Sequence, residues 1–325
     1  MLKLTFLIAA YNVEAFIDKC VISCYDEALA NDYEIIVVND GSTDATLEKL
    51  NALSKKISNL KVIDKANAGL GAARNTGLEH AQGDYVWMID GDDFLEKNIV
   101  SEFLERFSNN NNDVYAFNFN ITDIQGSVLS IKYPPKYVAS ILTGAEYYSF
   151  YFQNSYTWQY IFKRSIFKDN HLQFQERINM QDSEILPKIM YYANSVEYVD
   201  TIAYNYVQQD SSFTNTSNPA KRLQYFNSIV LVDNLLEKFS NSLSSKDNLI
   251  KTAIAKKRES LHGIVLNHLI FFKYDSKTFN DVIQLLKKEN FYPLKAKNLG
   301  LKMNLVKNML NTNPVMAKAL LNIVR

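Results

Sequence analysis

The sequence predicts an α/β protein, with a mainly parallel sheet followed by a smaller helical region. Three observations predict it. Short continuous apolar runs recur at Leu4–Ala10, Tyr33–Val38, Leu60–Ile63 and Tyr85–Ile89. Segments with helical spacing separate them, the pattern of βαβ units whose strands are covered on both faces. From Pro219 onward helical periodicity takes over and β-branched runs thin out.

Taken in order, Leu4–Ala10 is a buried strand and Val13–Leu29 a helix. Tyr33–Val38 is the second strand, and Asn39-Asp40-Gly41-Ser42 turns the chain into a helix over Thr43–Ile57, capped by Ser42 or Thr43. Leu60–Ile63 is the third strand, Gly71–Ala81 a helix and Tyr85–Ile89 the fourth strand. The polar loop 109–113 precedes strands at Val114–Phe119 and Val128–Tyr133, then a short helix at Ala145–Phe152. Tyr156–Phe162 and Ser195–Val207 read as extended. Asp182–Ala193 is a helix with Pro187 inside it, so a kink or a late start is expected. Arg222–Phe239, Asp247–Phe272 and Thr278–Glu289 are helical. The boundary is expected near residue 216, giving regions 1–215 and 216–325.

Composition narrows the function classes. Among 325 residues 47% are hydrophobic and 13% aromatic, which excludes a disordered chain. Thirty-five basic residues balance thirty-five acidic ones, so no global field attracts nucleic acid. Two cysteines cannot build a disulfide scaffold and suggest a reducing compartment. Leu4–Ala10 is too short for a signal-peptide core, and no stretch approaches the roughly 18–20 apolar residues that span a bilayer. A cytoplasmic protein, or one peripheral to a membrane, is expected.

In open parallel sheets ligands bind at the carboxyl ends of the strands. Here those ends carry Tyr11-Asn12, Asn39-Asp40, the loop Lys65–Gly71 and Asp90-Gly91-Asp92-Asp93, which points to one composite site. Carboxylates at the mouth of an apolar strand are costly unless neutralised, and a hard divalent cation bridging to phosphate oxygens does this. A solvated turn with helix-capping acids is the plainer alternative. Asp40 can accept from a base N–H such as the imide of uracil, or serve only the turn. Gly69-x-Gly71 imitates a dinucleotide fingerprint, with Asp90 at a suitable distance. Arg74 stands where the third small residue belongs, however, and the first βα turn holds no glycine, so a nicotinamide or flavin does not fit. Arg74 and Lys65 either meet a diphosphate or order the acids of the Asp90–Asp93 turn.

The segments FLIAAYNVEAFIDKC, YEIIVVNDGSTDAT and NAGLGAARNTGLEHAQGDYVWMIDGDDFLEKN together resemble the nucleotide-sugar half of glycosyltransferase family 2. The resemblance covers about the first 215 residues and implies the GT-A fold and inversion at the anomeric carbon. It implies a donor site of Ala10, Tyr11, Glu14, Asp40, Lys65, Asn67, Gly69, Arg74, Asp90, Gly91 and Asp92, with Tyr11 and Asp40 on uracil. Asp90-Gly91-Asp92 corresponds to the family's DxD motif, Asp90 taking ribose or metal and Asp92 a Mn²⁺ or Mg²⁺ ion. The chain departs at Ala9, where the family often has Pro, and at Gly91, where Ser is common; neither change removes a functional group.

The stretch from Thr157 to Met190 is similar to the family's acceptor segment. This implies Asp182 as general base, with Gln181 where a Glu is usual, and Trp158 as an acceptor-side aromatic or a core residue. Glu184 is the rival base; two helical positions from Asp182, it cannot face the same pocket. Val207 stands where the family usually has Arg, leaving a diphosphate contact to Ser211 or Ser212. The resemblance thus implies a UDP-sugar donor and a glycan or lipid-linked glycan acceptor in bacterial surface-polysaccharide synthesis. A catalytically inactive nucleotide-sugar-binding or scaffold protein is the rival from another class. A nucleotidyltransferase lacks its Gly-rich loop here.

The rest reads as structural. His80, His171, His262 and His268 have no metal spacing, and Cys20 and Cys24, one helical turn apart, read as buried. Most of the Tyr and Phe between 147 and 206 read as core. From Asn290 onward there is no acid, whereas Lys295, Lys297, Lys302, Lys307, Lys318 and Arg325 intersperse apolar residues. That segment either lies on an anionic membrane or packs on the preceding helices, which are also candidates for forming a homodimer.

Overall fold

The computed structural model describes residues 2–133, 141–152, 155–209, 218–272 and 274–324. The chain forms two compact units, Met1–Arg177 with Gln181–Ser211, and Ile178–Met180 with Ser212–Arg325.

The first unit runs β1 (Leu4–Ala10), α1 (Ile17–Ser23), β2 (Tyr33–Asn39), α2 (Thr46–Leu53), β3 (Leu60–Asp64), α3 (Leu70–His80), β4 (Tyr85–Asp90), β5 (Phe94–Leu95), α4 (Ile99–Asn109), β6 (Val114–Thr122), β7 (Val128–Lys132), α5 (Gly144–Tyr151), β8 (Tyr160–Lys163), α6 (Arg164–Asp169), α7 (Gln181–Tyr192) and β9 (Val196–Val207). The sheet order is β3-β2-β1-β4-β8-β6-β9-β5, with β7 paired to β6. Strands β3, β2, β1 and β4 are parallel, as the apolar runs imply, and every residue of β1 is buried. Antiparallel pairs β4–β8 and β6–β8 extend the sheet, and β6–β9 is again parallel.

Register decides where the polar residues meet. Ala10 pairs Asn39, Asn39 pairs Asp64 and Ala9 pairs Asp90, so four strands end on one line. β1 lies between β2 and β4, so the order reverses there and a crevice opens at that edge. Beneath it the core is aromatic: Phe6 meets the edge of Tyr33 at 5.4 Å, and Trp87 packs on Phe103 and Phe117 while its indole N–H donates to the Trp158 carbonyl at 2.9 Å. Helix α3 lies tightly on β1, because a Cβ on Gly77 would come within 2.5 Å of Leu7 Cγ.

Two helices begin later than their periodicity suggests. Asn12 adopts φ +52°, and the amides of Asn12, Val13 and Glu14 donate to Ser42, Thr46 and Asp44 side chains, so the loop after β1 is held open and α1 starts at Ile17. Thr43 is tied by its amide to Asn12 Oδ1, while Asp44 Oδ1 accepts from Thr46 N. The N-cap position of α2 is Ala45, and the Asp44 side chain, in place of Ser42 or Thr43, takes the first helical amide. Residues 157–159 form a single 3₁₀ turn before β8, where an extended run was expected. Helices α4 and α6 were not expected from the sequence, although Ile99, Val100, Phe103, Leu104 and Phe107 give α4 an apolar stripe. Helix α7 continues through Pro187.

The second unit comprises α8 (Pro219–Ser242), α9 (Asn248–Phe271), α10 (Ser276–Lys288), α11 (Leu301–Thr312) and α12 (Pro314–Val324). Phe226, Ile229, Leu236, Ile254, Leu261 and Leu269 are buried in it. Arg258 forks onto the buried Asp233 at 2.8 and 2.9 Å. His262 stacks on Phe291 at 3.9 Å, and burial lowers its pKa to about 4, so this histidine is a neutral packing residue. Leu301, Leu305, Val315 and Met316 are exposed.

Candidate active site

The crevice is built from loops whose own side chains brace them. Tyr11 follows β1 with its ring half exposed. Glu14 does not reach into the crevice, since its Oε2 accepts from Ala45 N at 2.7 Å on the rim. Ala10 is buried and offers its carbonyl to Asp40 N.

Asp40 is buried and already well bonded. Its Oδ1 accepts from Lys65 Nζ and Ala68 N, both at 3.0 Å, and its Oδ2 from Gly69 N at 2.7 Å. Asn67 Nδ2 donates to the Asp40 carbonyl at 2.9 Å. Lys65, Asn67 and Gly69 thus fold the 65–69 loop around one carboxylate. Gly69 has φ +91°, a conformation that side chains other than glycine rarely take. Lys65 is spent on Asp40 and not on the acids of the Asp90–Asp93 turn.

Arg74 settles one of the open alternatives. It is fully buried, so it is not an exposed diphosphate ligand. Its Nη2 donates to Asp90 Oδ1 at 2.8 Å, its Nη1 pairs with Asp182 Oδ1, and the guanidinium lies over the Phe174 ring. It can sink this far because Gly71 and Ala73 give α3 a slim face; a Cβ on Gly71 would strike the Gln175 carbonyl at 2.3 Å. One cation therefore joins the turn after β4 to the first turn of α7, which are far apart in sequence.

The three acids after β4 have different surroundings. Asp90 is held by Arg74. Asp93 is buried, accepting from Tyr204 OH and Val207 N, each at 2.7 Å, and burial beside Asp92 and Asp90 pushes it well above the usual carboxylate range. Asp92 is half-buried and accepts from Gln209 Nε2 at 2.9 Å. Burial, then the charge of Asp90, pushes its pKa up to about 6. A Cβ on Gly91 would lie 2.9 Å from the Ala9 carbonyl, so this turn sits directly on β1.

Asp182 opens α7. Oδ1 accepts from Arg74 and from Thr157 Oγ1 at 3.2 Å, while Oδ2 has no partner among the described residues. Burial raises its pKa, and the Arg74 charge opposes that shift. Gln181 is buried. Glu184, fully buried and paired with Lys188 on its own helix, does not open on the crevice. Of the two readings of Trp158, the structure carries core packing: it is 2% exposed and covered by neighbouring rings. Val207 serves Asp93 through its amide, and Ser211 and Ser212 lie outside the described residues. Asp93, Thr157, Tyr204 and Gln209 were not singled out from the sequence. Asp93 was visible in its motif, but nothing in sequence says which acid turns inward.

Among the described residues no three His, Cys, Asp or Glu side chains are arranged to hold a metal ion unaided. Asp92 nevertheless fits a divalent cation: its carboxylate lies in a partly buried, acid-rich turn, and among the described residues no cation pairs with it. One or two carboxylates completed by substrate phosphates is the usual way Mg²⁺ is held.

This sheet, with an acid turn at its switch point and Asp182 at the start of the facing helix, is a GT-A fold. The chain belongs to glycosyl transferase family 2, whose family model matches residues 5–174. It is 32% identical over 216 residues to the uncharacterized glycosyltransferase EpsJ of Bacillus subtilis (strain 168), covering 64% of this chain and 62% of that one. It thus spans less than two thirds of that relative. Among solved structures, S. aureus TarS 1-349 in complex with UDP-GlcNAc matches 98% of this chain and 90% of its own, with TM-score 0.68 and 19% identity. The mannosyltransferase PcManGT from Pyrobaculum calidifontis, in complex with GDP-Man and Mn²⁺, matches with TM-score 0.52 and 13% identity. These two likenesses concern the fold.

Proposed function

We propose that this glycosyltransferase is inverting and metal-dependent, moving a sugar from a UDP-sugar to a hydroxyl of a glycan or lipid-linked glycan in bacterial surface-polysaccharide synthesis. The observation that carries the reading is the shared guanidinium: Arg74 holds Asp90 of the donor turn and Asp182 of the acceptor helix at once. The UDP-GlcNAc of TarS and the Mn²⁺ of PcManGT support the nucleotide-sugar and metal parts.

Each residue then has a task. The exposed Tyr11 ring stacks on the base, and Asp40, fixed by three donors, keeps lone pairs for an imide N–H. Asp92, with Asp90, would hold Mn²⁺ or Mg²⁺, which supplies neutralisation of the diphosphate charge. Asp182 Oδ2 takes the proton of the acceptor hydroxyl, whose oxygen displaces UDP from the opposite face of the anomeric carbon. Arg74 and Thr157 hold Oδ1, so the free oxygen is aimed and not spinning. UDP release in the presence of Mn²⁺, screened across UDP-Glc, UDP-Gal, UDP-GlcNAc and UDP-GalNAc, tests the function; no turnover of any donor with glycan acceptors rejects it.

The elevated Asp92 pKa has a definite sign. At pH 7 the carboxylate is mostly ionised; below about 6 a proton competes with the ion, and Mn²⁺ affinity in the presence of UDP falls by up to about tenfold per pH unit. Without metal the same shift reduces stability as pH rises from about 4 to about 6, because the unfolded carboxyl ionises first. Manganese EPR titrations at pH 7.5 and 5 check the first statement, and affinity independent of pH refutes it.

The exposed Leu301, Leu305, Val315 and Met316 stand in a segment rich in Lys and free of acids, which supports peripheral contact with an anionic bilayer. No helix among the described residues is long and apolar enough to cross a membrane. Deleting the residues after 295 is expected to shift the protein from the pellet to the supernatant with phosphatidylglycerol vesicles; unchanged sedimentation refutes the contact.

A further inference from the structure

We propose that Tyr156 is the platform on which the acceptor sits, and that the acceptor presents a pyranose ring by its apolar C–H face. This rests on the reading of Asp182 as the base. Trp158 is walled in, stacked on Tyr156 at 4.8 Å and 17°, on Tyr204 at 4.5 Å and 9°, and on Tyr206 at 5.7 Å and 10°, with Phe119 edge-on at 4.7 Å. Tyr204 and Phe119 are as buried as Trp158, whereas Tyr156 is 42% exposed. Tyr206 is half-buried, so Tyr156 is the most open ring of the cluster, held in orientation by the Trp158 ring it stacks on.

That ring stands beside the base. The next residue, Thr157, donates to Asp182 Oδ1 at 3.2 Å, and after burial the Asp182 carboxylate is what raises the Tyr156 phenol pKa. A hydroxyl delivered to Asp182 Oδ2 belongs to a molecule that lies against Tyr156. An aromatic face is electron-rich, and the axial C–H groups on one side of a pyranose are its complement. A flexible polyol chain has no such rigid face. Because the ring is already fixed by Trp158, little side-chain freedom is lost on binding.

Saturation-transfer NMR on the full chain with UDP and Mg²⁺ tests this, using methyl β-D-glucopyranoside, methyl β-D-galactopyranoside and ribitol as probes. Calorimetry in parallel reports UDP affinity, and thermal unfolding confirms that each variant is folded. Wild type and Tyr156→Phe are expected to transfer saturation to the C–H protons of at least one glycoside and not to ribitol. Tyr156→Ala is expected to bind that glycoside about tenfold more weakly with UDP affinity unchanged. Three results overturn the proposal: equal glycoside binding by Tyr156→Ala, a ribitol signal that depends on Tyr156, or a loss of affinity for UDP-sugar alone, which assigns the ring to the donor. UDP binding without glycoside contact in wild type rejects the platform and leaves the donor site standing. Absence of UDP binding removes both.

Discussion

Asp182→Asn is expected to lower sugar transfer by roughly 10²–10⁴-fold, the usual contribution of a general base, while UDP affinity stays within about twofold. The amide keeps the shape of the side chain and an oxygen for Arg74 and Thr157, so the fold is undisturbed. What disappears is Oδ2, the oxygen of this group that makes no bond among the described residues. Glu184→Gln serves as the comparison, because Glu184 is buried against Lys188 and its loss should not reproduce the kinetic defect. Initial rates of UDP release with acceptor, for wild type and both variants, decide the matter; full activity in Asp182→Asn excludes Asp182 as the base.

Arg74→Met is expected to cost about 3–5 kcal/mol of stability, because it strips the buried cation from two acids and leaves their charges uncompensated. For a chain of this size that corresponds to a melting temperature lower by roughly 4–7 °C. The pair is anchored from both sides: Asp90 bonds at 2.8 Å, and Asp182 bonds the other nitrogen. Arg74→Lys supplies charge without the fork, so it should recover part of the stability and less of the activity. Thermal unfolding followed by circular dichroism measures this, and a melting point within a degree or two of wild type refutes a bridging role.

The sheet was legible because its central strands are buried on both faces, so Leu4–Ala10 and Tyr85–Ile89 stand out as unbroken apolar runs. Helix starts were less legible, since Asn12 and Asp44 redirect backbone amides through partners some thirty residues away. The residues of the site could be named from their motifs, but their surroundings could not. Arg74 looks like a side chain that reaches outward, yet Gly71 and Gly77 let its helix settle so close that the guanidinium is enclosed. Trp158 and Tyr156 are both aromatics of one short segment. Only the stacking of Trp158 on strand β9 shows which of them is covered and which is open. Asp90, Asp92 and Asp93 are one motif in sequence and three environments in space, divided by Arg74, Gln209 and Tyr204.

The central claim is that the turn after β4 is a donor site for a nucleoside diphosphate and a divalent ion, with the base on the other side of Arg74. Calorimetric titration of UDP in the presence of Mn²⁺, on wild type and on Asp92→Asn, tests it most directly. Saturable binding by wild type, weakened at least about tenfold in Asp92→Asn, is the result the account predicts. No uptake of UDP by wild type, or equal uptake by Asp92→Asn, contradicts it.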